Sequence, residues 1–135
     1  MKLSNSPSSK FPKKLKKVFL ELGSEDRLEE ILWRFYTKMS GDLLIGFFFT
    51  GKNLHSIIKQ QKAFILRAMG IVKKYDGPSP KKAHINLPPI LRGHFDRRMV
   101  LLKETLLEEG FSEGAIQAWI KFEEQFRKSI VDSEK

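Results

Sequence analysis

The sequence contains no cysteine, which excludes a disulfide scaffold, a zinc site built on thiolates and an iron–sulfur cluster. Long hydrophobic runs are also missing. The longest, residues 43–49, is far shorter than the roughly 20 residues of a membrane-spanning helix. The lysines near the N-terminus are not followed by an apolar stretch with a cleavage site, so we expect no secretory signal and a cytoplasmic protein.

Recognisable catalytic motifs are scarce as well. The chain has no glycine-rich phosphate loop, no His-Glu-x-x-His pair and no EF-hand pattern. Its three histidines, His55, His84 and His94, are far apart in the sequence. The acidic residues fall mainly on the polar faces of the predicted helices. The motifs therefore indicate none of these enzyme classes.

Positive charge is concentrated at the N-terminus. The net charge is +9, from 25 basic and 16 acidic residues. Residues 1–17 contain six lysines and no acid, so the remainder has 25 − 6 = 19 basic residues against 16 acidic ones, or +3. Because the body is nearly neutral, we expect no nucleic-acid partner. Residues 1–22 are predicted to be a basic N-terminal extension, partly disordered (residues 1–9) or a short helix. That extension either caps the domain in solvent or contacts an anionic membrane surface or an acidic protein.

The spacing of apolar residues predicts an all-α domain. Four longer helices are expected at residues 25–39, 54–69, 92–109 and 113–131. A shorter helix is predicted from Lys81 to Ile85, between Pro80 and Pro88. The apolar segment 43–49 has no second strand to pair with nearby, so it is predicted to form a helical turn and a buried corner.

Aromatic residues are abundant, with 11 phenylalanines and two tryptophans. Such a core packs on itself or surrounds a flat apolar ligand. His84 is flanked by stiffening prolines, and a neutral imidazole is a good metal ligand. Gln61 falls within the apolar stripe of its helix, where a buried amide without partners costs about 1–3 kcal/mol. The pattern alone leaves open whether these residues are structural or functional.

Four groups of residues lie in a familiar order and at familiar intervals. They are Leu32-Trp33-Arg34-Phe35-Tyr36; Gly46-Phe47-Phe48-Phe49-Thr50-Gly51 leading into 54–70; Tyr75-Asp76-Gly77-Pro78 with Lys82-Ala83-His84; and His94-Phe95-Asp96. Together they resemble the truncated globins, the short two-over-two helical relatives of myoglobin. The resemblance implies a globin-like two-over-two helical sandwich over residues 23–135.

The same resemblance implies a haem b cofactor with His84 as the proximal iron ligand. Tyr36 and Gln61 occupy the positions of distal hydrogen-bond donors, and Ile57 that of the distal gate. The haem pocket is expected to be completed by Phe48, Phe49, Phe64, Ile65, Tyr75 and Phe95. The lysines suggested as propionate partners are Lys52, Lys59 and Lys82.

The function implied is reversible binding or transport of O2, with NO and CO as further ligands. NO detoxification to nitrate, with a reductase as partner, is the enzymatic activity to expect. One alternative is a haem-based gas sensor that acts through a partner or a membrane surface. Another is a haem-free globin-fold interaction protein, suggested by Arg98, which is expected near the proximal side, if its side chain points inward. The chain departs from single subgroups of the family, with Gly23-Ser24 and Gly70-Ile71 in place of paired glycines, and with Arg98 or Met99 in place of a tryptophan.

Overall fold

The structure is a computed structural model that describes residues 11–71 and 73–131. The disorder predicted for residues 1–9 lies outside the described residues. The helices are α1 (Phe11–Leu22), α2 (Glu25–Ser40), α3 (Leu54–Ala68), α4 (Pro80–Ala83), α5 (Arg92–Glu108), α6 (Glu113–Glu124) and α7 (Arg127–Ile130), with a 3-10 helix at Gly46–Phe49. No strand is formed within this range, and the prediction of an all-α fold is confirmed. None of the described helices is long and apolar enough to span a bilayer.

Side-chain caps fix where several helices begin. The hydroxyl of Ser24 accepts a hydrogen bond from the backbone N–H of Arg27 at 3.1 Å, at the start of α2. Asn53 caps α3 and Ser79 caps α4 in the same way. Each cap satisfies an N–H that the first turn of a helix leaves without a partner.

α3 ends at Gly70, which has a φ of +79°. The N–H of Ile71 donates to the carbonyl of Leu66 at 2.9 Å, and the N–H of Gly70 to that of Arg67 at 3.0 Å. This is the Schellman arrangement, in which a left-handed residue closes the helix. Glycine adopts that conformation without the steric cost that a Cβ would bring.

The helices form two layers that share one core. α2 packs on α3 and on α5, while α5 packs on α6. This is the two-over-two arrangement that the resemblance implied. The predicted C-terminal helix is interrupted: α6 ends at Glu124, and the short α7 follows.

α1, which falls within the predicted N-terminal extension, packs on this core. Leu15, Val18 and Leu22 are at most 2% exposed. They face the rest of the domain, because α1 packs against α6. Lys16 and Lys17 remain exposed on the outer side. α1 is therefore amphipathic, with Leu15, Val18 and Leu22 in the core and Lys16 and Lys17 on the solvent side.

The corner between α2 and the 3-10 helix is tightly held. The Asp42 carboxylate accepts a hydrogen bond from Arg97 Nη2 at 2.8 Å and another from the Leu44 N–H at 3.0 Å. The Arg97 guanidinium lowers the pKa of Asp42. A Cβ on Gly46 would lie 2.6 Å from the Ser40 carbonyl oxygen, so only glycine fits there. The predicted helical turn is thus a fixed corner that sets the position of the following phenylalanines.

Candidate functional site

A cavity of about 270 Å³ lies inside the helical layers, close to the lower end of the range for ligand pockets, about 300 Å³. Apolar and aromatic side chains from α2, the 3-10 helix, α3, α5, α6 and the loops form most of its wall. The aromatic members are Tyr36, Phe48, Phe49, Phe64, Tyr75, Phe95, Phe122 and Phe126. The remaining wall includes a few polar groups, which decide what the cavity can bind.

Edge-to-face contacts hold the aromatic wall together. The rings of Tyr36 and Phe49 have centroids 5.8 Å apart and planes at 85°. Phe64 contacts Tyr75 at 5.2 Å and Phe126 at 5.4 Å. Because aromatic pairs prefer this geometry, the wall is stabilised by its own packing. The cavity therefore presents flat apolar surfaces on several sides.

His84 follows directly after α4 and forms its C-cap. Its Nδ1 is hydrogen-bonded to the carbonyl oxygen of Pro80. A carbonyl only accepts, so Nδ1 carries the proton and Nε2 of the neutral ring keeps a free lone pair. Burial lowers the pKa of His84, and the charge of Arg98 lowers it further, against the opposing effect of the Pro80 carbonyl. The ring lines the cavity in its neutral form, with its orientation fixed and an electron pair free on Nε2, which is the state required of a metal ligand.

A second histidine, His94, also lines the cavity but has the opposite tautomer. Its Nδ1 accepts a hydrogen bond from the backbone N–H of Leu91 at 2.9 Å, at the start of α5. The lone pair of Nδ1 is thus occupied, and in the neutral ring the proton lies on Nε2. The ring also packs edge-on against Phe48 at 5.1 Å. Of the two imidazoles, only His84 offers a free lone pair.

Tyr36 lies on α2 and is 7% exposed. Its ring packs edge-on against Phe35 at 5.4 Å as well as against Phe49. Burial raises the pKa of the Tyr36 hydroxyl, and the neighbouring Arg98 guanidinium opposes that rise. The phenol therefore stays protonated near neutral pH and can donate a hydrogen bond.

α3 presents one of its faces to the cavity. Ile57, Gln61 and Phe64 line it, as the resemblance implied, and the neighbouring Gln60 does so too. Ile65, predicted to be a pocket residue, is not among the described lining residues. It lies seven residues after Ile58, so the two share a helix face, and both are 1% exposed in the core. Ile65 therefore supports the wall from behind.

The loop before α4 folds back on itself. The Tyr75 hydroxyl donates to the carbonyl of Pro78 at 2.8 Å. A Cβ on Gly77 would collide with the Tyr75 ring, so glycine allows this close turn. The ring of Tyr75 lines the cavity while its hydroxyl is already committed. Tyr75 is therefore an apolar wall residue here.

The three lysines suggested as propionate partners differ in their position relative to the cavity. Lys52 lines the cavity and is exposed, so it stands at the cavity's solvent side. Lys59 and Lys82 are exposed and lie outside the lining. Only Lys52 is thus positioned to meet a ligand seated in the cavity.

The sequence reasoning missed a buried ion pair. Arg98 on α5 and Glu123 on α6 both line the cavity, with Arg98 Nη1 2.7 Å from Glu123 Oε1. Glu123 is 6% exposed, and its other oxygen accepts from Trp119 Nε1 at 3.1 Å. The sequence spacing could have indicated that both side chains are buried, because Arg98 is one helical turn after Phe95 and Glu123 is one helical turn after Trp119. Each therefore falls on an apolar helix face.

No group of three or more His, Cys, Asp or Glu able to hold a bare metal ion occurs in the part of the chain that the structure covers. The donor set is a single oriented imidazole facing an apolar, aromatic space. Two helical layers around such a cavity define a globin-type protein.

Comparison with known proteins agrees with this class. The model of the bacterial-like globin family matches residues 17–132. A group 1 truncated haemoglobin from Chlamydomonas moewusii is 30% identical over 112 residues, or 82% of this chain and 64% of that protein. Another, from Tetrahymena pyriformis, is 28% identical over 116 residues, or 84% of this chain and 93% of that protein. The chain thus spans slightly less than two thirds of the first relative and most of the second.

Solved structures show the same relationship. The Fe(III) form of the Tetrahymena pyriformis truncated haemoglobin superposes with a TM-score of 0.77 at 27% identity, covering 86% of this chain and 98% of that one. The cyanomet 2/2 haemoglobin of Synechococcus, with covalently attached haem, has a TM-score of 0.75 at 23% identity over the same shares, a likeness of fold alone. The chain belongs to the bacterial-like globin family and, within it, to the truncated globins. The resemblance inferred from sequence is confirmed.

Proposed function

We propose that this protein binds haem b in the cavity, with His84 as the axial ligand, and takes up diatomic gases beside Tyr36. When bound, haem iron supplies reversible binding of O2, NO or CO. The observation that carries the proposal is the hydrogen bond between His84 Nδ1 and the Pro80 carbonyl. It places the proton on Nδ1 and leaves the lone pair of Nε2 free, while burial keeps the ring neutral by lowering the pKa of His84.

The residues present fit a haem. The His84 imidazole would hold the haem iron, since a single histidine suffices as the protein ligand of a haem. The flat aromatic wall suits an apolar macrocycle, and exposed Lys52 at the solvent side suits a propionate. The solved Tetrahymena pyriformis truncated haemoglobin structures hold an Fe(III) form. Family membership and local chemistry therefore point in the same direction.

The polar side chains that line the cavity together with His84 can donate hydrogen bonds to a bound ligand. The Tyr36 hydroxyl, protonated and without a committed carbonyl partner, donates a hydrogen bond to a ligand that carries partial negative charge. The Gln61 amide, half-buried on α3, is the second donor. Phe48, Phe49 and Phe64 exclude water from the same space. Donors in a dry site slow ligand release, because a charge-assisted hydrogen bond is worth about 1.5–3 kcal/mol.

The same arrangement supports conversion of NO and O2 to nitrate. With haem bound, the donors would retain O2, and the apolar lining of the cavity suits NO, a small neutral gas. A reductase must then return the iron to its ferrous state, so this activity requires a redox partner. Consumption of NO with matching nitrate production by the reduced, oxygenated protein would test it.

Hemin titration of the purified protein tests the haem site. We expect the wild-type chain to give a Soret band at one hemin per chain, and His84→Ala to lose it or to bind hemin far more weakly. His55→Ala is the matched control, since His55 is exposed and lies outside the lining. His94→Ala tests the tautomer argument and should retain the band. A Soret band unchanged in His84→Ala, or lost only in His94→Ala, would contradict the proposal.

A further inference from the structure

Three side chains form a chain of polar contacts that ends in the cavity. Trp119 Nε1 donates to Glu123 Oε2 at 3.1 Å, and Arg98 Nη1 donates to Glu123 Oε1 at 2.7 Å. Glu123 is 6% exposed and both of its oxygens are engaged. The carboxylate is therefore held from both sides, and it in turn fixes the guanidinium of Arg98.

The guanidinium lies on the Tyr36 side of the cavity. Its central carbon is 5.0 Å from the centroid of the Phe35 ring, a cation–π contact with α2. Tyr36 lines the same cavity, and the guanidinium opposes the rise that burial causes in the pKa of the Tyr36 hydroxyl. The charge of Arg98 also lowers the pKa of His84. The Arg98 side chain keeps 20% of its accessible surface and lines the cavity. A positive charge thus faces the cavity beside α2, the helix that carries Tyr36.

We propose that Arg98 is a specificity-determining residue that makes this cavity favour small anionic ligands over neutral ones. The ligand class is that of compact monoanions, for which azide is a convenient probe. The inference deepens the proposed function, on which it rests, because the anion would occupy the position opposite His84. Tyr36 and Arg98 act there together, one as a neutral donor and the other as a charged donor.

The physical reason lies in the number of donors and in the low polarity of the wall. A guanidinium has five N–H donors, and the ion pair with Glu123 uses one of them. A charge enclosed by aromatic rings is screened less than one in water. The Glu123 carboxylate also lines the cavity and cancels part of that charge. The N–H groups of the guanidinium that Glu123 does not engage remain available to a bound anion.

Equilibrium binding of azide to the ferric, haem-loaded protein tests the proposal, with CO binding to the ferrous form as the neutral reference. We expect Arg98→Met to weaken azide binding about tenfold, equivalent to 1.4 kcal/mol, while CO affinity changes little. Arg98→Lys, which keeps the charge, should retain most of the azide affinity. Lys103→Met removes an exposed charge from the same helix, outside the cavity, and should alter neither ligand.

The outcomes separate this inference from the haem proposal. If wild-type protein gives no Soret band with hemin, the proposed function fails. If the band is normal in Arg98→Met but azide affinity is unchanged, or azide and CO weaken equally, the role of Arg98 is overturned. Should Arg98→Met fail to fold because Glu123 is left unpaired, the double variant with Glu123→Gln removes both charges and gives the same comparison.

Discussion

Replacement of Tyr36 by phenylalanine isolates the contribution of a single hydroxyl group. The ring of residue 36 packs against Phe35 at 5.4 Å and Phe49 at 5.8 Å, and a phenylalanine keeps both contacts. The residue is 7% exposed, so the variant leaves no large cavity and buries no new polar group. The substitution therefore keeps the packing and removes the hydroxyl, both as a donor to the ligand and as a neighbour of the Arg98 guanidinium.

The magnitude follows from the kind of hydrogen bond lost. A donor that faces a partly charged partner in a dry site contributes about 1.5–3 kcal/mol, and 1.4 kcal/mol is a factor of ten. We therefore expect O2 to leave the ferrous, haem-loaded Tyr36→Phe variant at least about tenfold faster than it leaves the wild type. Arg98 and Gln61 line the same cavity and remain, so retention is weakened rather than abolished.

Stopped-flow displacement of O2 by CO measures this rate. Tyr75→Phe is the matched control, because Tyr75 also lines the cavity but its hydroxyl donates to the Pro78 carbonyl at 2.8 Å. That variant should release O2 at nearly the wild-type rate. Equal rates in wild type and Tyr36→Phe, or an equal acceleration by the two variants, would show that the Tyr36 hydroxyl is not the donor that retains the ligand.

Two further predictions concern the protein without its cofactor. Leu15 is 1% exposed, so Leu15→Ala should destabilise the fold by about 2–5 kcal/mol and lower the melting temperature by about 8 °C or more. Leu20 lies on the same helix but is 79% exposed, so Leu20→Ala should change the melting temperature little. Thermal unfolding followed by circular dichroism compares the two variants. Burial lowers the pKa of His84, so the unfolded chain binds the proton more readily. The stabilisation is therefore present above the ordinary histidine pKa of 6.5 and is lost as the pH falls through the lowered value. Urea unfolding at pH 7.5 and 5.5 should show a smaller loss of stability in His84→Ala than in wild type, and equal losses would contradict the assigned burial effect.

The helices were predictable because local signals agree with the packing. Ser24 and Asn53 cap helices whose apolar residues recur at helical spacing, and Gly70 closes one of them in a conformation that glycine adopts freely. The segment 43–49 was ambiguous by periodicity, yet the absence of a pairing partner selected a helical turn correctly. Caps and periodicity are properties of neighbouring residues, so the sequence carries them directly.

The placement of side chains across the core was less predictable. Ile65 was expected in the pocket from the family resemblance, but it lies in the core with Ile58 and is not among the described lining residues. Residues 1–22 were predicted as an extension that is partly disordered or a short helix, and spacing alone did not indicate that Leu15 and Val18 are fully buried. Which face of a helix meets which partner depends on the other helices, and spacing along one segment does not contain that information.

The buried ion pair shows how α1, far along the chain from the cavity lining, bears on the site. Replacing a buried pair by apolar residues is often neutral or stabilising, so Arg98 and Glu123 are not explained by stability alone. Glu123 is held on α6, and α6 is braced by α1 through its buried apolar side. A shift of α6 would move the carboxylate, and with it the guanidinium beside Tyr36. The packing of Leu15 and Val18 therefore helps to set the position of α6, and with it that of Glu123, although none of the described residues of α1 lines the cavity.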